Sequence, residues 1–411
     1  MFAIFDRTTG PAKPPPGSEE ALAERRSKSQ YEFRSGDKSR PLLHSTIDQE
    51  FKKAVKKFGN RRAVSYGSTT WTYEDFDRHI EASTKKFRER GVGRGMVVGL
   101  IMHNRPAMVI EAMALLRIGA VIAPFDPAIA PDEFNELLTL VRPQFLITDN
   151  GDLNKIDVRE DEEPDQGKVY PESPAFIQFP EGNDRHARVQ KDTNEKRVNC
   201  AVQLAEDLEL TPADRMCITG HLYRGIGLSL DVMAAFYAGA CAVFPSAQDP
   251  ESILRTIERQ ECTVLNGLED TFLELAQFKE ADRYDLSSLT RGYLARKTIP
   301  EETFRKLEET LGFTILTGIR MRDLAGPITT SNLKDPFEQR FGLVQRLAPH
   351  VDARIAEDGE LCVRGYIVIQ NYMQNVEGVK HVLDAEDWFH TGIRAEFTED
   401  GLVRYLGLMS E

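Results

Sequence analysis

An α/β fold, built from two successive βαβ-type sheets with flanking helices and a small β-rich unit, is what the sequence predicts from three observations. Short apolar runs alternate with segments of helical period between residues 63 and 148. The same rhythm returns between residues 199 and 278 after an irregular gap. Beyond Phe341 it gives way to short strand-like runs bounded by turn residues. Strands alternating with helices of about 10–15 residues point to parallel sheets, because a parallel crossover is long enough to hold a helix.

Residues 1–44 are rich in Pro, Gly, Ser and charge, as in Pro14-Pro15-Pro16-Gly17 and Glu24-Arg25-Arg26. Such a composition buries too little surface to order itself, so a flexible tail is expected. From Ser45 the pattern changes. Ile47, Phe51, Val55 and Phe58 form one helical stripe, followed by strands at Ala63–Tyr66 and Thr70–Thr72. Thr72 then offers an N-cap, with Glu74 and Asp75 in the first turn, for a helix running to Arg90. Strand Val97–Met102, helix Pro106–Ile118, strand Ala120–Pro124, helix Pro131–Leu140 and strand Phe145–Thr148 come next. Residues 150–173, with the acidic run Asp157–Glu163, read as a connector closing a first subdomain at 45–173.

The second subdomain, 174–340, carries helices at Asn199–Leu208, Leu228–Ala238, Pro250–Gln260 and Glu269–Phe278. Strands at Met216–Thr219, Ala242–Phe244 and Thr263–Asn266 alternate with them. A β-rich subdomain, 341–411, has strands at Asp352–Ile355, Gly359–Val363 and Gly401–Tyr405.

Composition narrows the partners. The 411 residues are 41% hydrophobic, enough for a sizeable core, and carry a formal charge of −13. Nucleic acid and anionic membrane surfaces call for a basic face, so no nucleic-acid partner is expected. No apolar run reaches 18 residues, so no membrane span is expected. Cys200, Cys217, Cys241, Cys262 and Cys362 lie at least 17 residues apart and read as buried reduced thiols. With no leader-like segment at Met1–Gly10, a cytoplasmic protein is expected.

Several segments in order resemble the large N-terminal domain of the adenylate-forming superfamily, the acyl-CoA synthetases and AMP-dependent ligases. They are Thr72-Tyr73-Glu74-Asp75-Phe76; Leu115–Val121 with Pro124 and Pro127; Asp249-Pro250-Glu251; Thr263-Val264-Leu265; Gly359–Gly365; and Trp388-Phe389-His390-Thr391-Gly392. All of these are scaffold. Where the resemblance calls for chemistry, the residues differ. The W-F-x-T-G-D motif should end in an aspartate that holds the ATP ribose, and here the position is Ile393. A Ser/Thr/Gly-rich phosphate loop should follow Ala175–Phe179, but the chain reads Glu181, Gly182, Asn183, Asp184, Arg185, His186, Ala187 and Arg188.

Tyr293-Leu294-Ala295-Arg296-Lys297 stands for a Gly-Gly surface under adenine, where a tyrosine would fill purine space. Thr317-Gly318-Ile319-Arg320-Met321-Arg322-Asp323 replaces Y-G-x-T-E, with Asp323 as the candidate for a residual metal contact. Arg224 occupies the position of the family's acyl-tunnel histidine, and His221 could reach it only by a register shift. The acyl-pocket candidates are thus Arg224, His221, Tyr293 and Arg296. No lid domain is expected after Gly407–Glu411, which would leave Leu402, Tyr405, Leu408 and Met409 as an apolar patch for self-association or a protein partner.

The resemblance therefore implies an acyl-CoA ligase-like protein with impaired ATP-dependent carboxylate adenylation. It assigns no catalytic residue and no cofactor, and leaves a small organic acid, an acyl-CoA or a protein as partner. The alternative is a working acyl- or aryl-acid CoA ligase that uses ATP and Mg²⁺ through an acyl-AMP. Its atypical site would be built from Arg185, His186, Arg188, Arg320, Arg322 and Asp323.

Overall fold

The computed structural model describes residues 33–156, 164–179, 189–224, 227–295, 300–369, 373, 382–384 and 386–409. Three sheets carry the fold. One has six strands in the order Leu153–Lys155, Phe145–Thr148, Val97–Ile101, Val121–Phe125, Pro174–Gln178, Gln190–Thr193; its inner four are parallel and its two edges antiparallel. A second has seven, in the order Thr314–Leu316, Arg291–Ala295, Val264–Leu268, Arg215–Ile218, Cys241–Phe244, Arg62–Tyr66, Thr69–Thr72, parallel up to its last strand. The third is antiparallel in its pairings: Phe33–Ser35, Val351–Ile355, Glu360–Gly365, Phe389–Phe397, Val403–Leu408, Val344–Leu347, Thr329–Thr330.

Chain order and sheet membership diverge from the simple succession of sheets that the sequence suggests. Arg62–Tyr66 joins the second sheet beside Cys241–Phe244, while Pro174–Gln178 and Gln190–Thr193 complete the first. Ala63, Val64 and Ser65 are buried in a row, the signature of a strand covered on both faces. Periodicity marks such a strand without naming its neighbour. Within the segment 1–44 expected as a tail, Phe33–Ser35 pairs with Val351–Ile355 and Leu43 exchanges hydrogen bonds with the Asn199 amide at 2.8 and 2.9 Å, while residues 1–32 lie outside the described residues. The acidic run Asp157–Glu163 lies outside the described residues, but the end of the connector is held, with Arg94 donating to Asp165 at 2.8 Å.

Helix boundaries follow local chemistry. Thr46 with Gln49, and Thr72 with Asp75, form capping boxes at the starts of Ile47–Phe58 and Tyr73–Glu89. Pro106 starts the helix ending at Ile118, and Gly119, at φ 89°, ends it in the left-handed region. Arg117 near its end joins three helices, donating to Asp48 at 2.9 Å, Asp77 at 2.6 Å and Glu81 at 2.9 Å.

Behind them, Tyr73 is fully buried among Phe51, Phe58 and Phe236, and its hydroxyl donates to the Ala240 carbonyl at 2.7 Å. Tyr73→Phe keeps the ring and removes that donor. It is expected to cost about 1–2 kcal/mol, read as a lower urea midpoint at unchanged m-value.

The segment expected as a helix from Leu228 begins as a π-helix, Gly227–Val232, before turning α-helical at Met233–Ala238. Gly227 is required there, because a Cβ would lie 2.3 Å from the Gly220 carbonyl oxygen. The close approach presses the π-turn against the end of strand Arg215–Ile218. Asp231 is thereby delivered to the interior.

Candidate functional site

Parallel sheets present their chemistry at the carboxyl ends of their strands. In the second sheet a chain of polar contacts starts further back, at the middle of two neighbouring strands. Asn266, on Val264–Leu268, donates from its amide to Asp231 at 3.0 Å and accepts from the Tyr293 backbone N–H at 2.9 Å. The Tyr293 hydroxyl accepts from Arg320 Nε at 3.2 Å, and that guanidinium lies over the Tyr293 ring at 5.3 Å. Asp231 in the π-turn is thus linked to Arg320 through Asn266 and Tyr293 on two neighbouring strands.

Burial dominates the electrostatics of this chain. Asp231 is pushed up to about 7 by desolvation, against the opposing pull of Asn266 and Arg320. Asp207, on helix Asn194–Asp207, also rises to about 7 through burial, although Thr330 and Gln203 donate to it. Burial would by itself lower the pKa of Arg320, but Tyr293, Cys200 and Asp231 outweigh it and the pKa rises. Arg320 therefore acts as a counter-ion to the protein's own interior acids. Deeper in, Arg197 and Asp192 form an ion pair with side chains 3% and 0% exposed.

The predicted site residues fall into separate groups. Tyr293 and Arg320 come together, but Tyr293 is a mid-strand residue packed in the main core, 4% exposed, and does not line an open acyl surface. His221 and Arg224 meet elsewhere. The His221 ring stacks on Tyr223 at 4.9 Å, and Arg224 sits 4.0 Å from Asp126. Burial and then Arg224 lower the His221 pKa, with Asp126 opposing. Asn104 braces the loop, accepting from Leu222 N–H at 2.8 Å and donating to the Gly220 carbonyl at 2.9 Å.

Ile319 and Ile393 belong to the apolar core of the third sheet, 8% and 4% exposed. Arg322 is exposed, whereas Asp323 is buried and its backbone carbonyl accepts from Gln190 at 2.9 Å. Among the described residues, metal-ligand side chains converge in two places, and Asp323 is in neither. Glu181, Gly182, Arg185, His186, Arg188 and Arg296 lie outside the described residues. Leu402, Tyr405, Leu408 and Met409 are half-buried, and Tyr405 and Leu408 pack against the third core instead of standing clear as a patch.

Sequence reading missed Asp231, Asn266 and the Arg197–Asp192 pair. A signal was present for the first: Asp231 interrupts the apolar run Leu228–Met233, and a carboxylate inside such a run is either buried with a purpose or marks a break.

The AMP-binding enzyme family matches residues 51–198 and 193–373. A putative acyl-CoA synthetase of Bacillus subtilis, YngI, is 25% identical over 438 aligned residues, covering 90% of this chain and 80% of the relative. The acyl-CoA ligase SID4 of Ajellomyces capsulatus is 23% identical over 84% of this chain and 69% of its own length. Among solved structures, the N-terminal domain of FACL13 from Mycobacterium tuberculosis, bound to an inhibitor, superposes with TM-score 0.77 at 15% identity, over 89% of this chain and all of that one. The luciferase-like enzyme of the mealworm Zophobas morio gives TM-score 0.77 at 16% identity, over 92% and 99%. Among the described residues no helix is long and apolar enough to cross a membrane.

Proposed function

Because the chain belongs to the AMP-binding enzyme family, we propose that it is an acyl-CoA ligase-like member whose ATP-dependent carboxylate adenylation is impaired. The observation that carries this reading is the placement of Ile393. Its side chain is packed in an apolar core with Phe389, Ala395 and Leu361, in the position where the resemblance asks for a ribose-binding carboxylate. An alkyl group accepts no hydrogen bond, whereas each charge-assisted bond to a diol is worth about 1.5–3 kcal/mol. The commitment of Arg320 to Tyr293 and the interior acids adds support, since the guanidinium is engaged before any ligand arrives.

The ligand class this reading keeps is a small organic acid or acyl-CoA, met first by Arg224 at the exposed end of its loop. Arg224 faces Asp126 across 4.0 Å, a weak exposed pairing that a carboxylate ligand could replace at little cost. The test is a titration of the purified chain with Mg²⁺-ATP in a calorimeter, together with a pyrophosphate-release assay across fatty and aromatic acids. No saturable ATP binding in the micromolar range and no release above a heat-denatured control are expected. Pyrophosphate release with any one acid would establish the alternative, a functional acyl- or aryl-acid CoA ligase.

A further inference from the structure

Two adjacent strands of the third sheet place a thiol, an imidazole and a carboxylate at one point. Glu360 and Cys362 are two residues apart on strand Glu360–Gly365, on either side of a register shift, and both side chains reach His390. His390, on strand Phe389–Phe397, stands directly opposite Cys362 in the register. His390 Nδ1 lies 2.6 Å from Glu360 Oε2 and 3.5 Å from Cys362 Sγ. The donor atoms of all three residues fall within 4.8 Å of one another.

We propose that Cys362, His390 and Glu360 form a binding site for one thiophilic divalent cation, with zinc as its representative, and that Asp384 orients the imidazole. A tetrahedral zinc with bonds of 2.0–2.3 Å sets its ligand atoms about 3.3–3.8 Å apart. The sulfur–nitrogen separation already falls in that interval. The Glu360 oxygen must retreat by about 1 Å, a small torsional adjustment.

The supporting contacts match what metal sites require. His390 turns its other nitrogen, Nε2, toward Asp384 Oδ2 at 3.6 Å, just beyond hydrogen-bond distance, so a small closure on metal binding would complete the carboxylate–histidine arrangement that fixes the tautomer of a ligating ring. Asp384 is itself held by the backbone N–H groups of Glu386 and Trp388, each at 2.9 Å, and by Arg354 at 2.6 Å. Glu360 keeps its second oxygen on the Gly392 N–H at 2.6 Å, leaving the first aimed at the site.

Cys362 is buried while the His390 side chain is 28% exposed, so a cation enters from the histidine side and finds the sulfur behind it. Arg354 stands opposite Cys362 in the register, its guanidinium reaching the thiol and lying over the Trp388 ring at 4.8 Å. With a thiolate, two carboxylates, Arg354 and a dication, the formal charge of the cluster closes to zero. The other convergent group, His44 with Glu172 and Glu195, is exposed and has no sulfur, which makes it an internal control.

The experiment uses the full chain freed of metal by chelator and dialysis. Cobalt(II) is titrated while thiolate-to-metal charge transfer is followed in the near ultraviolet, and zinc affinity is read by competition with a chromophoric chelator. One equivalent of cobalt and a charge-transfer band are expected, with zinc displacing the cobalt. Cys362→Ser should abolish the band, and His390→Gln should weaken zinc binding more than tenfold. Asp384→Asn should weaken it about 10–100-fold, the usual effect of losing such an orienting group. His44→Ala should change neither readout. Should Cys362→Ser fail to fold, the unaltered chain still decides the matter. A spectrum without a thiolate band overturns the proposal, as does a band that survives in a folded Cys362→Ser variant or a zinc affinity left unchanged by His390→Gln.

Discussion

Exchanging Arg197 for methionine is expected to destabilise the protein by about 3–5 kcal/mol, a large part of what holds a domain folded. The Arg197 and Asp192 side chains are 3% and 0% exposed and face each other directly. Asp192 belongs to the edge strand of the first sheet, while Arg197 sits on helix Asn194–Asp207. Arg197 Nη1 also donates to Ser229 Oγ in the π-turn at 3.2 Å and to the Ala325 carbonyl at 3.3 Å. One guanidinium therefore serves three parts of the fold. Methionine matches much of its volume, so the loss comes from the carboxylate left without a counter-charge, not from a cavity. The double variant Arg197→Met, Asp192→Leu should recover most of that loss, because removing both ions also removes the desolvation that each imposed. Urea unfolding of the wild type and the three variants closes the cycle. A single-variant cost under about 1 kcal/mol would mean that water reaches the pair.

Periodic segments were legible in the sequence because their causes are local. Pro106–Ile118, Phe145–Thr148 and Pro250–Gln260 begin and end where proline, glycine and the apolar pattern place them. The edge strand Gln190–Thr193 was not legible, since its polar residues are buried by neighbours distant in sequence. Phe33–Ser35 was hidden for a related reason: three residues carry no period, and the strand exists because Val351–Ile355 offers an unpaired edge. Asn266 also went unread as the partner of Asp231.

For the candidate site, residue identity was legible and environment was not. Ile393 stands in the sequence where the resemblance asks for a carboxylate, but its packing with Phe389 and Ala395 belongs to the folded sheet. Arg320 could be read as a free cation for phosphate or carboxylate. In the structure it answers to Tyr293 and to acids on helix Asn194–Asp207 and the π-turn, which no local pattern could announce.

Asp231→Asn is expected to stabilise the protein above neutrality while leaving it nearly unchanged near pH 4. Burial raises the Asp231 carboxyl from 3.8 to about 7. Between those two values the folded chain holds a proton that the unfolded chain has released, so stability falls as pH rises, and it levels off above about pH 7. Three pH units at about 1.4 kcal/mol each set a ceiling of about 4 kcal/mol, which relaxation and the pull of Arg320 reduce. The asparagine carbonyl can still accept the Asn266 amide now held at 3.0 Å. The other Asp231 oxygen is buried without a hydrogen-bond partner among the described residues, so an amide there forfeits no bond. Asp207 titrates in the same direction, so the variant should flatten the pH–stability profile only in part. Thermal unfolding of both proteins from pH 4 to pH 9 reads the difference, which should grow from near zero to a plateau. The opposite sign, with the asparagine variant weaker at pH 8, would mean that Arg320 outweighs burial and folding favours the ionised Asp231.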